Sequence, residues 1–231
     1  MAKSRKPKRP YDSTRRQAQA RETRRQIVEA ARKLFVEYGY AGATIEAIAQ
    51  EADVAPETIF ATFGNKRTIL AALIDVAVGG DEQPIPLLQR PGPQTVLQEI
   101  DPVRLLQLFA TDISGILERV APVFEVMRAA AKTEPDIADL LKNLLEERLK
   151  NITAFVRSLS AHGPLRAGLD DAQAGEIVWT ITSPEVFSLL TVDRGWSRER
   201  YAHWLGDTLA RLLLPQMERP LLTNDEKEMK A

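Results

Sequence analysis

The sequence predicts an all-α protein, with a three-helix, helix-turn-helix headpiece towards the N-terminus and a C-terminal helical bundle after it. Three observations carry this. Apolar residues recur at three- and four-residue steps through most of the chain, which is the spacing of one helix face. Pro56, Pro102, Pro122 and Pro135 each stand where a helical run begins, and proline suits the first helical position because its missing N–H has no partner there anyway. No segment of strand length alternates apolar and polar residues.

Residues 1–20 show no apolar periodicity and contain Pro7 and Pro10, so they read as a disordered basic arm. Regular structure is expected from about Glu22. Ile27, Ala30, Ala31, Leu34, Phe35 and Tyr38 form one apolar face, and Gly39 and Gly42 mark its end. Thr44 is a good N-cap for a short second helix that turns Ile45, Ile48, Ala49 and Ala52 inward. After Asp53-Val54-Ala55, Pro56 opens a third helix with Ile59, Phe60 and Phe63 as its buried face. Gly64 ends it, and Asn65 caps a fourth helix that runs to about Ala77. The headpiece domain is thus set at residues 21–78.

Residues 79–101 concentrate Gly79, Gly80, Pro84, Pro86, Pro91, Gly92 and Pro93, and read as a linker or loop. Residues 102–215 read as a helical domain. Pro102 opens one helix through Leu117, Pro122 a shorter one through Ala130, and Pro135 a long one stopped by His162-Gly163-Pro164. A helix from about Asp171 to Thr191 is expected to bend at Pro184. The last runs from about Arg198 to Leu214, and residues 216–231 read as a flexible tail.

Composition bounds the function. With 44% hydrophobic and 27% charged residues the chain fits an ordinary globular protein. It has no apolar run of about 18 residues to span a membrane, and its basic start lacks the apolar stretch of a signal peptide. Cysteine is absent, which excludes disulfides and thiolate chemistry and fits a reducing cytoplasm. Charge is unevenly spread. Residues 1–25 hold ten basic residues against Asp12 and Glu22, a balance of +8; the total of −1 leaves −9 for the rest. A basic arm on an acidic body suits a protein that meets nucleic acid at one end; a solvated tail that aids solubility is the alternative.

Residues 44–62 have the shape of a helix-turn-helix, with two short helices, a tight turn and a preceding helix to complete the core. Pro56, Glu57, Thr58, Ala61 and Thr62 lie off the apolar positions of the second helix. Small and polar groups approach base edges closely, and threonine methyls suit thymine. The same pattern also suits a three-helix satellite domain without a ligand.

From Thr23 to Ala77 the residues closely resemble the headpiece of TetR-type bacterial repressors. The match runs through Ile27, Ala30-Ala31, Leu34-Phe35 and Gly39-Tyr40, then Thr44, Ile48-Ala49 and Val54, then Thr58-Ile59-Phe60 and Phe63-Gly64-Asn65-Lys66. The resemblance implies a bacterial, nucleoid-associated regulator of transcription. Thr44 would meet backbone phosphate, Pro56, Glu57, Thr58 and Thr62 would face the major groove, and Phe60 and Lys66 would touch phosphate. Asn65 and Lys66 also stand at a helix N-terminus, which favours anions. Arg15 and Arg16 belong to the arm expected to track DNA. Three positions depart from the family's usual residues: Asp53 replaces glycine, Phe60 replaces tyrosine, and Thr62 replaces a frequent histidine. Glu57 either accepts from a cytosine amino group or repels phosphate and sharpens register.

For the C-terminal half the resemblance is looser and implies dimerisation and effector binding. Thr182-Ser183-Pro184-Glu185, Asp193-Arg194-Gly195-Trp196 and Trp204–Leu214 look like the last two helices of many members, which pair across a two-fold axis. Tyr201, Trp204, Leu205, Leu209 and Leu212 form the expected interface stripe, rich in aromatic anchors. A homodimer would set two recognition helices about 34–36 Å apart on a palindromic site in double-stranded DNA. Phe109, Ile113, Met127, Phe155 and Trp179 are candidate linings for a small apolar effector.

Catalysis is not expected. His162 and His203 are the only histidines, and no phosphate loop, nucleophile motif or metal-spaced cluster appears. No cofactor or metal is called for. An activator or chromosome-organising protein of the same family, or a helical adaptor without specific DNA binding, remain as other readings.

Overall fold

The computed structural model describes residues 13–215, and every regular element among them is helical. The expected tail, and the expected arm as far as residue 12, lie outside the described residues. The helices are α1 (Ser13–Gly42), α2 (Ile45–Glu51), α3 (Pro56–Phe63), α4 (Lys66–Gly79), α5 (Pro91–Gln98), α6 (Pro102–Ala130), α7 (Pro135–His162), α8 (Asp171–Ile181), α9 (Pro184–Ser188) and α10 (Arg198–Leu213).

Several boundaries differ from those expected, each for a physical reason. Helix α1 begins at Ser13 rather than near Glu22. Residues 15–21 are exposed, so arginine, glutamine and alanine hold the helix by propensity without an apolar stripe. Tyr38 is 59% exposed, and Tyr40 instead stacks on Phe35 with ring centroids 5.6 Å apart. Within residues 79–101, Pro91–Gln98 is helix α5 and buries Val96. Pro91 and Pro93 fall in its first turn, where no N–H is required.

Helix α6 passes through Pro122 without a break, where two helices were expected. An interior proline costs about 3 kcal/mol. Burial of Leu117, Val120, Val123, Phe124 and Met127 on either side outweighs it at about 1.5–3 kcal/mol per large side chain. The expected bend at Pro184 is a full stop. Thr182 ends α8, and the Ser183 hydroxyl accepts from the Val186 N–H at 3.2 Å to start α9.

The chain forms two compact units. One comprises the residues up to Ala77 with Pro122–Leu140; the other comprises Val78–Ala121 with the residues from Leu141 onward. Residues 122–140 therefore belong with the headpiece, although they were expected in the C-terminal domain. In the first unit Ile27, Ala31 and Phe35 of α1 share the core with Ile48 of α2, Ile59 of α3 and Ile69 and Leu70 of α4, all fully buried. In the second, Leu105, Leu106 and Ala110 of α6 meet Val156 and Leu159 of α7, Val178 of α8 and Tyr201, Leu205, Leu209 and Leu213 of α10.

The turn between α2 and α3 explains one departure. Asp53 has φ +53°, the left-handed region where glycine is usual and aspartate is tolerated better than most side chains. Asp53→Gly should leave stability within about 0.5 kcal/mol, relief of strain offsetting a freer unfolded chain. Asp53→Ala should cost about 1 kcal/mol. Thermal melting of both variants checks this, and equal losses would refute it.

Candidate nucleic-acid interface

Helices α2 and α3 present the residues singled out for DNA contact. Thr44 is exposed at the head of α2, where its Oγ1 accepts from the Ala47 N–H at 3.1 Å. That bond caps the helix and holds its N-terminal turn in place. Pro56 stands at the first turn of α3, and the buried Ile59 and Phe63 anchor this helix. Its opposite side carries Glu57, Phe60 and Ala61 exposed, flanked by Pro56, Thr58 and Thr62 partly exposed.

Phe60 needs correction as a core residue. It is 53% exposed and lies on the outward stripe with Glu57. The periodicity Ile59-Phe60-Phe63 could not separate these positions, because adjacent residues on a short helix are only about 100° apart. The position where the resemblance implies phosphate contact is therefore open to solvent, but its ring has no hydroxyl to donate. The Thr62 hydroxyl donates to the Thr58 carbonyl at 2.7 Å, so it is already partnered within the helix.

The start of α4 is held from two sides. Asn65 Oδ1 accepts from the Thr68 N–H at 2.9 Å and from the Thr68 hydroxyl at 3.0 Å. The Lys66 ammonium donates to the Tyr40 carbonyl at 2.7 Å and lies 4.3 Å from the centre of the Tyr40 ring. Burial pulls its pKa down. Lys66 thus ties α4 to the end of α1, just past the non-helical Gly39. The Arg24 guanidinium, 4.3 Å above the Phe63 ring, ties α1 to α3. Arg15 and Arg16 lie exposed near the start of α1.

The family model "Bacterial regulatory proteins, tetR family" matches residues 27–73, which cover the core of α1, all of α2 and α3 and half of α4. The HTH-type transcriptional regulator UidR of Escherichia coli K12 is 24% identical over 174 residues, covering 72% of this chain and 81% of that protein. The chain belongs to the tetR family of bacterial regulators. It is a DNA-binding transcriptional regulator. The HTH-type transcriptional repressor BepR of Brucella suis biovar 1 is 30% identical over 145 residues, covering 62% of this chain and 66% of that one. Among solved structures, the regulator FadR from Bacillus subtilis, crystallised with stearoyl-CoA, shares the fold with a TM-score of 0.64 at 20% identity. That match covers 80% of this chain and 96% of FadR. Among the described residues no helix is long and apolar enough to cross a membrane.

The second unit of this tetR-family regulator sorts the remaining candidates. Tyr201, Leu205 and Leu209 are fully buried inside the protomer, so they are core residues rather than interface. The stripe on α10 is real, but α6 and α8 already cover it; Trp204 and Leu212 stay partly exposed. Phe109 and Phe155 stack with centroids 3.8 Å apart, and Ile113 and Trp179 pack on the same cluster. Met127 is fully buried within Pro122–Leu140 of the first unit, so it is a core residue there and not part of that cluster.

Sequence reading missed one feature of the second unit. Arg148 sits on the face of α7 that carries Ile152 and Phe155, four and seven residues further on. Its Nη2 donates to the Trp179 carbonyl and, at 3.0 Å, to the Thr182 hydroxyl. Burial brings its pKa down to about 10, while Glu185 acts in the opposite sense and more weakly. The guanidinium therefore stays charged at neutral pH. A cation interrupting an apolar helical stripe was the signal available in the sequence.

Proposed function

We propose that this regulator is a homodimeric repressor that holds a palindromic site in double-stranded DNA and releases it when a small, mainly apolar effector occupies the second unit. The observation that carries this reading is the outward stripe of α3. Glu57, Phe60 and Ala61, flanked by Pro56, Thr58 and Thr62, offer a shallow surface anchored by Ile59 and Phe63. A short helix with small groups and few long side chains enters a major groove closely. Thr44, Asn65, Lys66, Arg15 and Arg16 supply the flanking contacts to the backbone. The name of BepR and the ligand in the FadR structure support repression and effector control.

The dimer surface follows from exposure. Leu189 and Val192, 56% and 75% exposed in the π-helical segment that follows α9, join Trp204 and Leu212 as apolar surface for a second copy. Selection of bound fragments from a random DNA pool at about 0.15 M salt tests the reading. A palindromic consensus supports it; no enrichment removes it. Phe60→Tyr restores a hydroxyl at the exposed position and should tighten binding by about 1 kcal/mol, roughly fivefold. Anisotropy titration against the selected site measures this, and unchanged or weaker binding would show that Phe60 does not reach the DNA backbone.

A further inference from the structure

The second unit holds one buried donor that the protein itself leaves unmatched, beside a guanidinium with donors to spare. The Trp179 Nε1–H is buried and has no hydrogen-bond partner among the described residues. Buried donors in native proteins are nearly always paired, so an orphan calls for a reason. The Arg148 guanidinium lies 4.9 Å from the centre of the same indole ring. Its hydrogen bonds use Nη2 alone, on a carbonyl and a hydroxyl, both neutral. The Nε and Nη1 donors donate to no protein acceptor among the described residues and, unlike the indole N–H, are open to solvent.

Capping the end of α8 does not account for this. The Thr182 hydroxyl, fully buried, donates to the Val178 carbonyl at 2.7 Å. The Tyr201 hydroxyl donates to the Ile181 carbonyl at 3.4 Å. Arg148 adds the Trp179 carbonyl and the Thr182 hydroxyl oxygen to this set, a task one neutral donor group could perform. A charge set on an apolar stripe is unfavourable unless an opposite charge or several hydrogen bonds accompany it. Glu185 faces Arg148 electrostatically, but burial is the larger influence on the guanidinium. Trp179 also packs on the apolar core cluster that contains the Phe109–Phe155 stack.

We propose that Arg148 and Trp179 form the polar end of the effector site and that they recognise the carboxylate of a ligand whose body is apolar. A carboxylate only accepts hydrogen bonds, so it matches two donors with no acceptor between them. It also supplies the opposite charge that Arg148 lacks at hydrogen-bond range. The proposal rests on the effector-release reading above and names the chemistry of that effector.

The test uses the full chain and paired probes, octanoate against octanol and phenylacetate against phenylacetamide. Binding is followed by calorimetry and tryptophan fluorescence, and release of the selected DNA by anisotropy. The carboxylates should bind at least about tenfold more tightly than their neutral partners, as charge-assisted bonds do. Arg148→Met should weaken the carboxylates roughly 10- to 100-fold and leave the neutral probes unchanged. Arg148→Lys, which keeps the charge, covers the case in which the Met variant does not fold, and should bind carboxylates at an intermediate level. Trp179→Phe should weaken the carboxylates and remove most of the fluorescence change, with DNA affinity of the free protein unaltered.

Equal binding of neutral and charged probes, or full carboxylate affinity in Arg148→Met, overturns the proposal. So does a change in dimer dissociation with ligand affinity untouched, since Arg148 and Trp179 would then face a second copy. DNA release by the neutral probes alone also overturns it, yet leaves effector release standing. Arg148-dependent carboxylate binding without DNA release supports the site and removes the release reading instead.

Discussion

Phe35→Ala should destabilise the headpiece by about 3–5 kcal/mol, the range for removing a large aromatic side chain from a packed core. Phe35 is fully buried and stacks on Tyr40. Tyr40 in turn supports the Lys66 ammonium through its ring and its carbonyl. The cavity therefore opens beneath the contact that joins the end of α1 to the start of α4. An ordinary domain has only about 5–15 kcal/mol in hand, so a large share of the headpiece would be unfolded near its working temperature. The melting transition should fall by roughly 10 °C, and DNA binding should be lost with it. Phe35→Leu, which keeps most of the volume, should cost about half as much. Calorimetry on the two variants is the check. A loss below about 1 kcal/mol for the alanine variant would mean that the headpiece core collapses around the gap.

Thr58→Asp should abolish operator binding with little change in folding. Thr58 is the third residue of α3 and partly exposed. A negative charge in the first turn of a helix is favoured by the backbone dipole, by about 0.3–1 kcal/mol, so α3 should form as well as before. The same charge would enter the major groove between the two phosphate backbones, where like charges cost several kcal/mol. Affinity should drop at least about 100-fold, and the drop should shrink as salt screens the repulsion. Binding at native strength, measured at two salt concentrations, would remove Thr58 from the DNA surface.

The headpiece was legible because its signals are local. Thr44 caps α2, Pro56 opens α3, Gly64 ends it with φ +75°, and Asn65 caps α4. Each acts within four residues of itself, which is the reach of sequence periodicity and capping rules. Phe60 shows where that reach stops. Ile59 and Phe60 are both apolar, and only the packing of the other headpiece helices on one side of α3 decides which is covered. Pro122 shows the same limit in α6, since its penalty is local while the burial that offsets it comes from other helices.

The second unit was legible as helices but not as surfaces. The stripe of Tyr201, Leu205 and Leu209 marks α10 as amphipathic, and a helix with one apolar face must bury it somewhere. Whether that partner lies in the same protomer or in a second one depends on contacts far apart along the chain. Tyr201 meets Phe187 edge-on at 4.9 Å and donates to Ile181, which settles it as core. Arg148 and Trp179 stand 31 residues apart, and nothing local links them.

By itself, then, the sequence determined the helical class and the α2–α3 headpiece, because capping, periodicity and turn chemistry are properties of neighbouring residues. The tertiary structure alone decided that Phe60 faces outward, that Tyr201, Leu205 and Leu209 face inward, and that Arg148 lies beside an unpartnered Trp179. Burial and hydrogen-bond satisfaction belong to the packed arrangement, in which residues distant along the chain compete for the same space.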